Sequence, residues 1–217
     1  AGYFYMTVFD KWSKDINQRD ICAYATQEGH KSTDLQAGYR QGAGVAIAAL
    51  AAASELETSG SYSSQTYLDT AAKGYWHLKE YNLQYLNDGE ENIIDEYCAL
   101  LAANELYRVT QDEQYLSEAR TWATRLISRQ QSDDSFEHFW SANSDGSRPY
   151  FHAAEAGLPV IALCEYINNE TDTELKEQAR IVVEQACQFE INITDKVTNP
   201  FGYPRQYVKN VDGDKRD

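Results

Sequence analysis

The apolar residues of this chain fall into two kinds of helical run that alternate. Runs such as CALLAANELY (residues 98–107) and AGLPVIALCEY (156–166) are apolar on nearly every side, the pattern of a helix enclosed by others. The runs that follow them carry a single stripe: Tyr115, Ala119, Trp122 and Leu126 in one, Leu175, Ala179, Val182, Ala186 and Phe189 in the other, with Lys, Arg and Glu opposite. A stripe spaced three and four residues apart marks a helix with one face on a core. The enclosed helices therefore belong inside and the striped ones outside.

This alternation is an internal repeat. Three segments, starting at Ala49, Ala99 and Val160, each join an Ala-rich helix to a second helix through a short polar turn. They share Glu55, Glu105 and Glu165 near the end of the first helix, then Leu68, Leu116 and Leu175, then Ala71, Ala119 and Ala179 early in the second. Stacked hairpins with an inner and an outer row describe either an α-solenoid or a closed α/α toroid. Solenoid repeats of the tetratricopeptide or ankyrin type run near 33 or 34 residues with short turns, and these repeats are longer. The aromatic-bearing connection over residues 130–148 and the polar, irregular stretch over 15–44 are of the length that carries function. The predicted fold class is all-α, with helical hairpins over residues 1–217 forming one unit and no second domain.

One inner run carries candidate chemistry. RPYFHAAEAGLPVIALCEY (148–166) reads as a single buried helix with His152 and Glu155 at its mouth and Pro159 interrupting it. Residues i and i+3 share a helical face, a carboxylate is favoured at the positive end of the dipole, and Pro159 has no N–H to offer the carbonyl of Glu155. The pair is thus either a polar cap on a buried helix or a group reaching into a cleft.

Charge and composition narrow the partners. A formal net charge of -15 repels nucleic acid and anionic membrane, which bind through counterion release and basic patches. No apolar run reaches the ~20 residues of a membrane span, and the opening AGYFYMTVFDKW lacks the basic start and apolar stretch of a secretion signal. A cytoplasmic location follows as the expectation. Cys22, Cys98, Cys164 and Cys187 are far apart, which reads as four free thiols in a reducing compartment. His30, His77, His138 and His152 have no metal-ligand spacing, so neither metal nor cofactor is expected. NSDGS (143–147) lacks the later Glu of a calcium loop and reads as a turn. The sequons at Asn169 and Asn192 matter only in a glycosylating pathway.

Four stretches carry a family resemblance: YRQGAGVAIAALAAASEL (39–56), DEYCALLAANELYRVTQDEQYL (95–116), RPYFHAAEAGLPVIALCEY (148–166) and NPFGYPRQYVKN (199–210). In that order they resemble the middle of the catalytic domain of family 9 glycoside hydrolases. The likeness is to the bacterial exo-acting branch that trims cello-oligosaccharides or glucosaminides from the non-reducing end. It covers nearly the whole chain. It implies part of an (α/α)6 toroid, about three hairpins of it, and inverting hydrolysis of a β-1,4-linked oligosaccharide. The family's Asp pair, expected upstream, and its general-acid Glu, expected downstream, match nothing here, and DGDKRD (212–217) matches in composition alone. The resemblance thus implies a piece of cleft wall without acid or base. Its exposed inner-helix edges would be covered by the rest of the same polypeptide or by another chain.

Candidate substrate-binding residues follow. Trp140 and Tyr150, in and after the long loop, offer faces to the C–H side of sugar rings, and the alternative for Trp140 is sealing that loop onto the core. His152 and Glu155 would contact sugar hydroxyls. Arg205 and Tyr207 lie where the resemblance borders the cleft, with turn stabilisation as the alternative. Tyr39 and Arg40 occupy the same rim position, before the first inner helix, as Tyr150 and His152 do before the third. Trp76 and Trp122 read as core. The competing function is a helical-repeat binding module with a concave face and no chemistry.

Overall fold

A computed structural model describes residues 2–6, 8–10, 19–21, 36–56, 60–86, 88–196 and 198–209. Cys22, His30 and the 212–217 stretch singled out in the sequence lie outside them. The described chain is mostly helical, with short antiparallel strand pairs at its margins. β1 (Phe4–Tyr5) and β2 (Val8–Asp10) pair with β4 (Gln36–Ala37) and β3 (Arg19–Ile21) respectively. The helices follow as α1 (Ala43–Ala53), α2 (Ser64–Tyr85), α3 (Ile93–Thr110) and α4 (Glu113–Ser128). After β5 (Gln130–Gln131) and β6 (Phe139–Trp140) come α5 (Leu158–Asn169) and α6 (Thr173–Asp195).

The packing order is that of three hairpins. α1 packs on α2, α3 on α4 and α5 on α6, while α3 also touches both α1 and α5. The helices α1, α3 and α5 therefore form a row with their partners behind it. The three alanines shared by the repeat, Ala71, Ala119 and Ala179, have no exposed surface; a small side chain there lets an outer helix approach closely. Outer helices begin on side-chain caps: Ser63 accepts from the Thr66 amide, Asp112 from Gln114, and Asp172 from Glu174 and Leu175, each satisfying orphan N–H groups of the first turn.

Close approach in the inner row depends on one glycine. A Cβ at Gly44 would stand 2.7 Å from the Cβ of Cys98 and 2.8 Å from its carbonyl oxygen, so α1 and α3 cross where only hydrogen fits. Two residues before it, Gly42 adopts φ 107° and turns the 3-10 segment Tyr39–Gln41 into α1.

The enclosed pattern holds in full only for the middle helix. Along α3 every residue from Ile93 to Tyr107 is buried, Ile94 and Glu105 excepted. The outer members of the row each leave an apolar edge in solvent, at Val45 on α1 and at Ile161 and Cys164 on α5. AGLPVIALCEY is thus buried on one side, through Pro159, Ala162, Leu163 and Tyr166, and open on the other. The reason is position in the row, since α5 has α3 on one flank only.

Three further expectations change. Residues 148–166 are not one helix: α5 starts at Leu158, and Pro159 sits in its first turn, where a missing N–H costs nothing. His152 and Glu155 lie in the preceding turn, and the Glu155 carbonyl accepts from the Leu158 amide at 2.9 Å. The 130–148 connection is pinned instead of open, because β5 pairs with β6 and the Ser141 amide bonds to Arg129 at 2.8 Å. Trp122 is core at 3% exposure, but Trp76 is 39% exposed and donates to the Tyr115 hydroxyl at 3.2 Å. Cys98 is buried, whereas Cys164 on α5 and Cys187 on α6 are free and exposed. Among the described residues, no helix is long and apolar enough to cross a membrane.

Candidate functional site

The N-terminal ends of α1, α3 and α5 gather most of the candidate residues, but the structure divides them into two groups. The first group is an ion network around the start of α3. Asn92 and Asp95 form a capping box there, and Asp95, fully buried, also accepts from Asn82 and from the Arg40 amide at 3.3 Å each. Its carboxyl is pushed up to about 6 by desolvation, which the Arg40 guanidinium 3.4 Å away offsets only in part. Glu96, the next residue, receives a bidentate pair from buried Arg129 at 2.9 and 2.7 Å. Arg125 spans Glu91 and Glu96 at 2.7 and 3.3 Å and lies 4.6 Å over the Trp122 ring.

This network closes on itself. A surface pocket of about 400 Å³ opens over it, lined by Glu90, Glu91, Glu96, Arg125, Ser128, Arg129 and Ser144, yet its guanidiniums and buried carboxylates already neutralise one another. Two predicted residues belong to it and leave the candidate surface. Tyr39 has no exposed area, donates its amide to Asn82 at 2.8 Å and packs edge-on against Trp122. Arg40 is held by Asp88 at 2.7 Å and by Asp95. Both join the first hairpin to the second.

Trp140 is also withdrawn. It is 4% exposed and part of the main core, because strand β6 turns it inward and its backbone is claimed by neighbours. Its carbonyl accepts the Tyr150 amide at 2.6 Å. A ring so placed seals the loop and offers no face to a ligand. Tyr207 is spent in a similar way: its ring stands 4.9 Å from Phe136 and 5.2 Å from Phe139, and its hydroxyl donates to Asp133 at 2.9 Å. Arg205 is exposed, held through its amide to Thr194 at 3.4 Å.

The second group remains open. Tyr150, His152 and Glu155 come together at the mouth of α5, with Tyr97 of α3 beneath them. The Tyr97 hydroxyl donates to Glu155 Oε2 and lies 3.2 Å from the Tyr150 hydroxyl. The Tyr150 hydroxyl also donates to the Glu155 carbonyl at 3.5 Å, so the two phenols and Glu155 form one hydrogen-bonded cluster. Burial and this carboxylate hold the Tyr97 phenol far above its ordinary range, and burial pushes Tyr150 up to about 12. Both tyrosines therefore stay protonated as donors at any physiological pH. Burial likewise raises the Cys98 thiol alongside, so it is no nucleophile.

His152 fixes the turn. Its Nδ1 accepts the backbone amides of Ala154 and Glu155 at 3.2 and 3.0 Å, which leaves the neutral ring with its proton on Nε2. Gln206, from the C-terminal segment, donates to the His152 carbonyl at 2.8 Å, and Phe151 beside it is 41% exposed. Sequence reasoning missed Tyr97, Phe151 and Gln206. Tyr97 had one usable signal: it is a hydrogen-bonding side chain within the enclosed stretch of a mostly apolar helix, and such a group needs a partner.

NSDGS is a self-satisfied turn, in which Asn143 Oδ1 accepts from Ser141 and the Arg148 amide and Asp145 accepts from the Ser147 amide. Among the described residues no cluster of His, Cys, Asp or Glu is arranged to hold a metal ion. Comparison with protein-family models and with curated protein sequences gave no match.

Proposed function

We propose that this chain is part of a glycoside hydrolase acting on β-1,4-linked oligosaccharides, supplying a wall of the substrate cleft. The observation that carries this reading is the Tyr97–Tyr150–Glu155 cluster opening beside exposed Phe151 at the N-terminal end of an inner helix. Fixed hydroxyl and carboxylate groups next to an aromatic face suit a ligand with apolar ring faces and polar edges. The hairpin row and the ordered resemblance of the four sequence stretches support the same reading, and in it the three hairpins are an arc of an (α/α)6 toroid. The bare edges at Val45 and Ile161 would then face further hairpins of the same polypeptide.

Inverting hydrolysis needs one carboxylic acid to protonate the leaving oxygen and one carboxylate to activate water, ~6.5–9.5 Å apart. Asp95 and Glu96 are buried and paired, so the acid and base of this reading come from outside these residues. The 217-residue chain is expected to bind cello- or chitosan-oligosaccharides in a calorimeter and to leave aryl β-glucosides intact. Absence of saccharide binding would sink the proposal. Turnover lost on substituting a carboxylate of this chain would show the catalytic pair to be misplaced.

A second reading rests on the same buried acids. A helical-repeat module that binds a protein through its inner row would need no free carboxylate pair, and it predicts a protein ligand with no affinity for any saccharide.

A further inference from the structure

Glu55, Glu105 and Glu165 hold the same place in the three hairpins, in the last turns of an inner helix or just past it. Three residues on, only the middle hairpin has a cation: Arg108 stands where the others have Thr58 and Asn168. Arg108 serves two of the acids. Its Nη1 donates to Glu55, and its Nε and Nη2 donate to Glu105 Oε2 at 3.1 and 2.8 Å. Glu165 is left out. Its Oε2 is buried with no hydrogen-bond partner among the described residues, and no cation among them is bonded to it.

Packing holds Glu165 beside the pair that excludes it. Asn104, the residue before Glu105, donates to the Ala162 carbonyl at 2.9 Å, and Asn169 donates to the Asn104 carbonyl at 3.0 Å. Those two bonds brace α5 against α3 on either side of Glu165, so the third acid feels repulsion from Glu105 and attraction from Arg108. The other helices packed on α5 are α4 and α6, and every Lys and Arg on them is bonded elsewhere. Arg120 and Lys176 are held at Glu170, Arg125 at Glu91 and Glu96, and Arg180 at Glu177 and Glu184. The Cys164 thiol next to Glu165 is raised by burial and stays neutral.

From this geometry we propose that Arg108 is a switch: it bridges Glu55 and Glu105 while Glu165 carries a proton, and it leaves Glu55 for Glu165 when Glu165 ionises and its proton passes to water. The direction follows from exposure. The Arg108 and Glu55 side chains are 42% and 46% exposed, and an ion pair so solvated is worth little. An unpaired carboxylate with a buried oxygen is costly. Glu105, one turn before Arg108 on the same helix, is the pivot, and that bond need not break. The exchange unties the turn after α1 from the middle helix and ties α5 to it. Burial and Glu105 push Glu165 up to about 7, so the first hairpin is held below that pH and the third above it. This inference rests on the hairpin packing and is independent of the oligosaccharide reading.

The test is an NMR titration of the glutamate side-chain carboxyl carbons, from acidic to alkaline pH at low salt. In the wild-type protein the Glu165 carbon is expected to titrate with a midpoint near 7. The Glu55 carbon, already ionised, should shift a second time at that same midpoint as it loses Arg108. Glu165→Gln should erase this second shift and leave the titration of Glu55 itself in place. Arg108→Gln should also erase it and move the Glu165 midpoint higher, because the ionised acid then has no cation to reach. A Glu165 midpoint in the ordinary carboxylate range, or a Glu55 carbon that stays flat while Glu165 titrates, overturns the proposal, and neither result needs a variant to fold. A second Glu55 shift that survives Glu165→Gln overturns it as well, as does a Glu165 midpoint unmoved by Arg108→Gln.

Discussion

Glu165 and Glu170 lie five residues apart at the same end of α5 and show how neighbours decide the state of a carboxylate. Glu170 is 2% exposed but receives Arg120 in a bidentate pair at 2.8 and 2.7 Å, the Tyr166 hydroxyl and two backbone amides. The Arg120 bonds hold it down to about 2. Glu165 has one carboxylate oxygen buried with no partner among the described residues. Desolvation first, then repulsion from Glu105, push it up to about 7 against a weaker pull from Arg108. Its folded value lies above the ordinary 4.5, so the folded state holds the proton more tightly. The stability cost is absent below pH 4.5, grows as pH rises towards 7, and is complete above it. Glu165→Gln is therefore expected to raise the melting temperature at pH 8, by the equivalent of about 1–2 kcal/mol after solvent screening, and to change little at pH 4.5. Equal effects at both pH values in thermal melts would mean that the carboxylate charge is not the source of the strain.

At the scale of elements, the β5–β6 pair shows an apparent loop acting as structure. Its polar residues gave 130–148 the look of an open connection, and alternation over two strand residues is too short to read. Pairing leaves both faces of the strand covered, with Phe139 in a small cluster with Phe189 and Ile193 and Trp140 in the main core, at 2% and 4% exposure. Trp140→Ala is accordingly expected to destabilise the protein by about 3–5 kcal/mol, while saccharide affinity of the surviving folded fraction stays near wild type. Denaturant melts beside calorimetry at a temperature where the variant is folded check this. A stable variant with lost affinity would return Trp140 to the binding surface. The α5 boundary teaches the same lesson: Pro159 looked like an interruption, and it is a start. The difference lies in whether residues 148–157 are helical, which apolar composition does not report.

At the scale of the molecule, the row of inner helices is closed at its centre and open at its ends. The thiols report this directly. Cys98 lies under α1 at the Gly44 crossing, and its thiol is raised by burial, whereas Cys164 and Cys187 face solvent on the third hairpin. In a Cys22→Ser background, two thiols are expected to react with a maleimide in the native protein and three after denaturation. Rapid labelling of Cys98 without denaturant would show that α1 does not stay packed on α3. The sequence by itself determined the helical periodicity, the inside and outside assignment of the striped helices, and the three-fold repeat, because each depends on spacing along one helix. Every stripe residue named on α4 is buried, as are those on α6 from Ala179 onward. Tertiary structure alone decided which polar side chains meet. Arg40 and Asp95 are 55 residues apart in sequence, and Tyr97 and Glu155 58 apart, so nothing local tells Arg40 that it will be consumed by a buried acid or Glu155 that a phenol will hold it. That choice rests on helices packing side by side, and it is made only once they have.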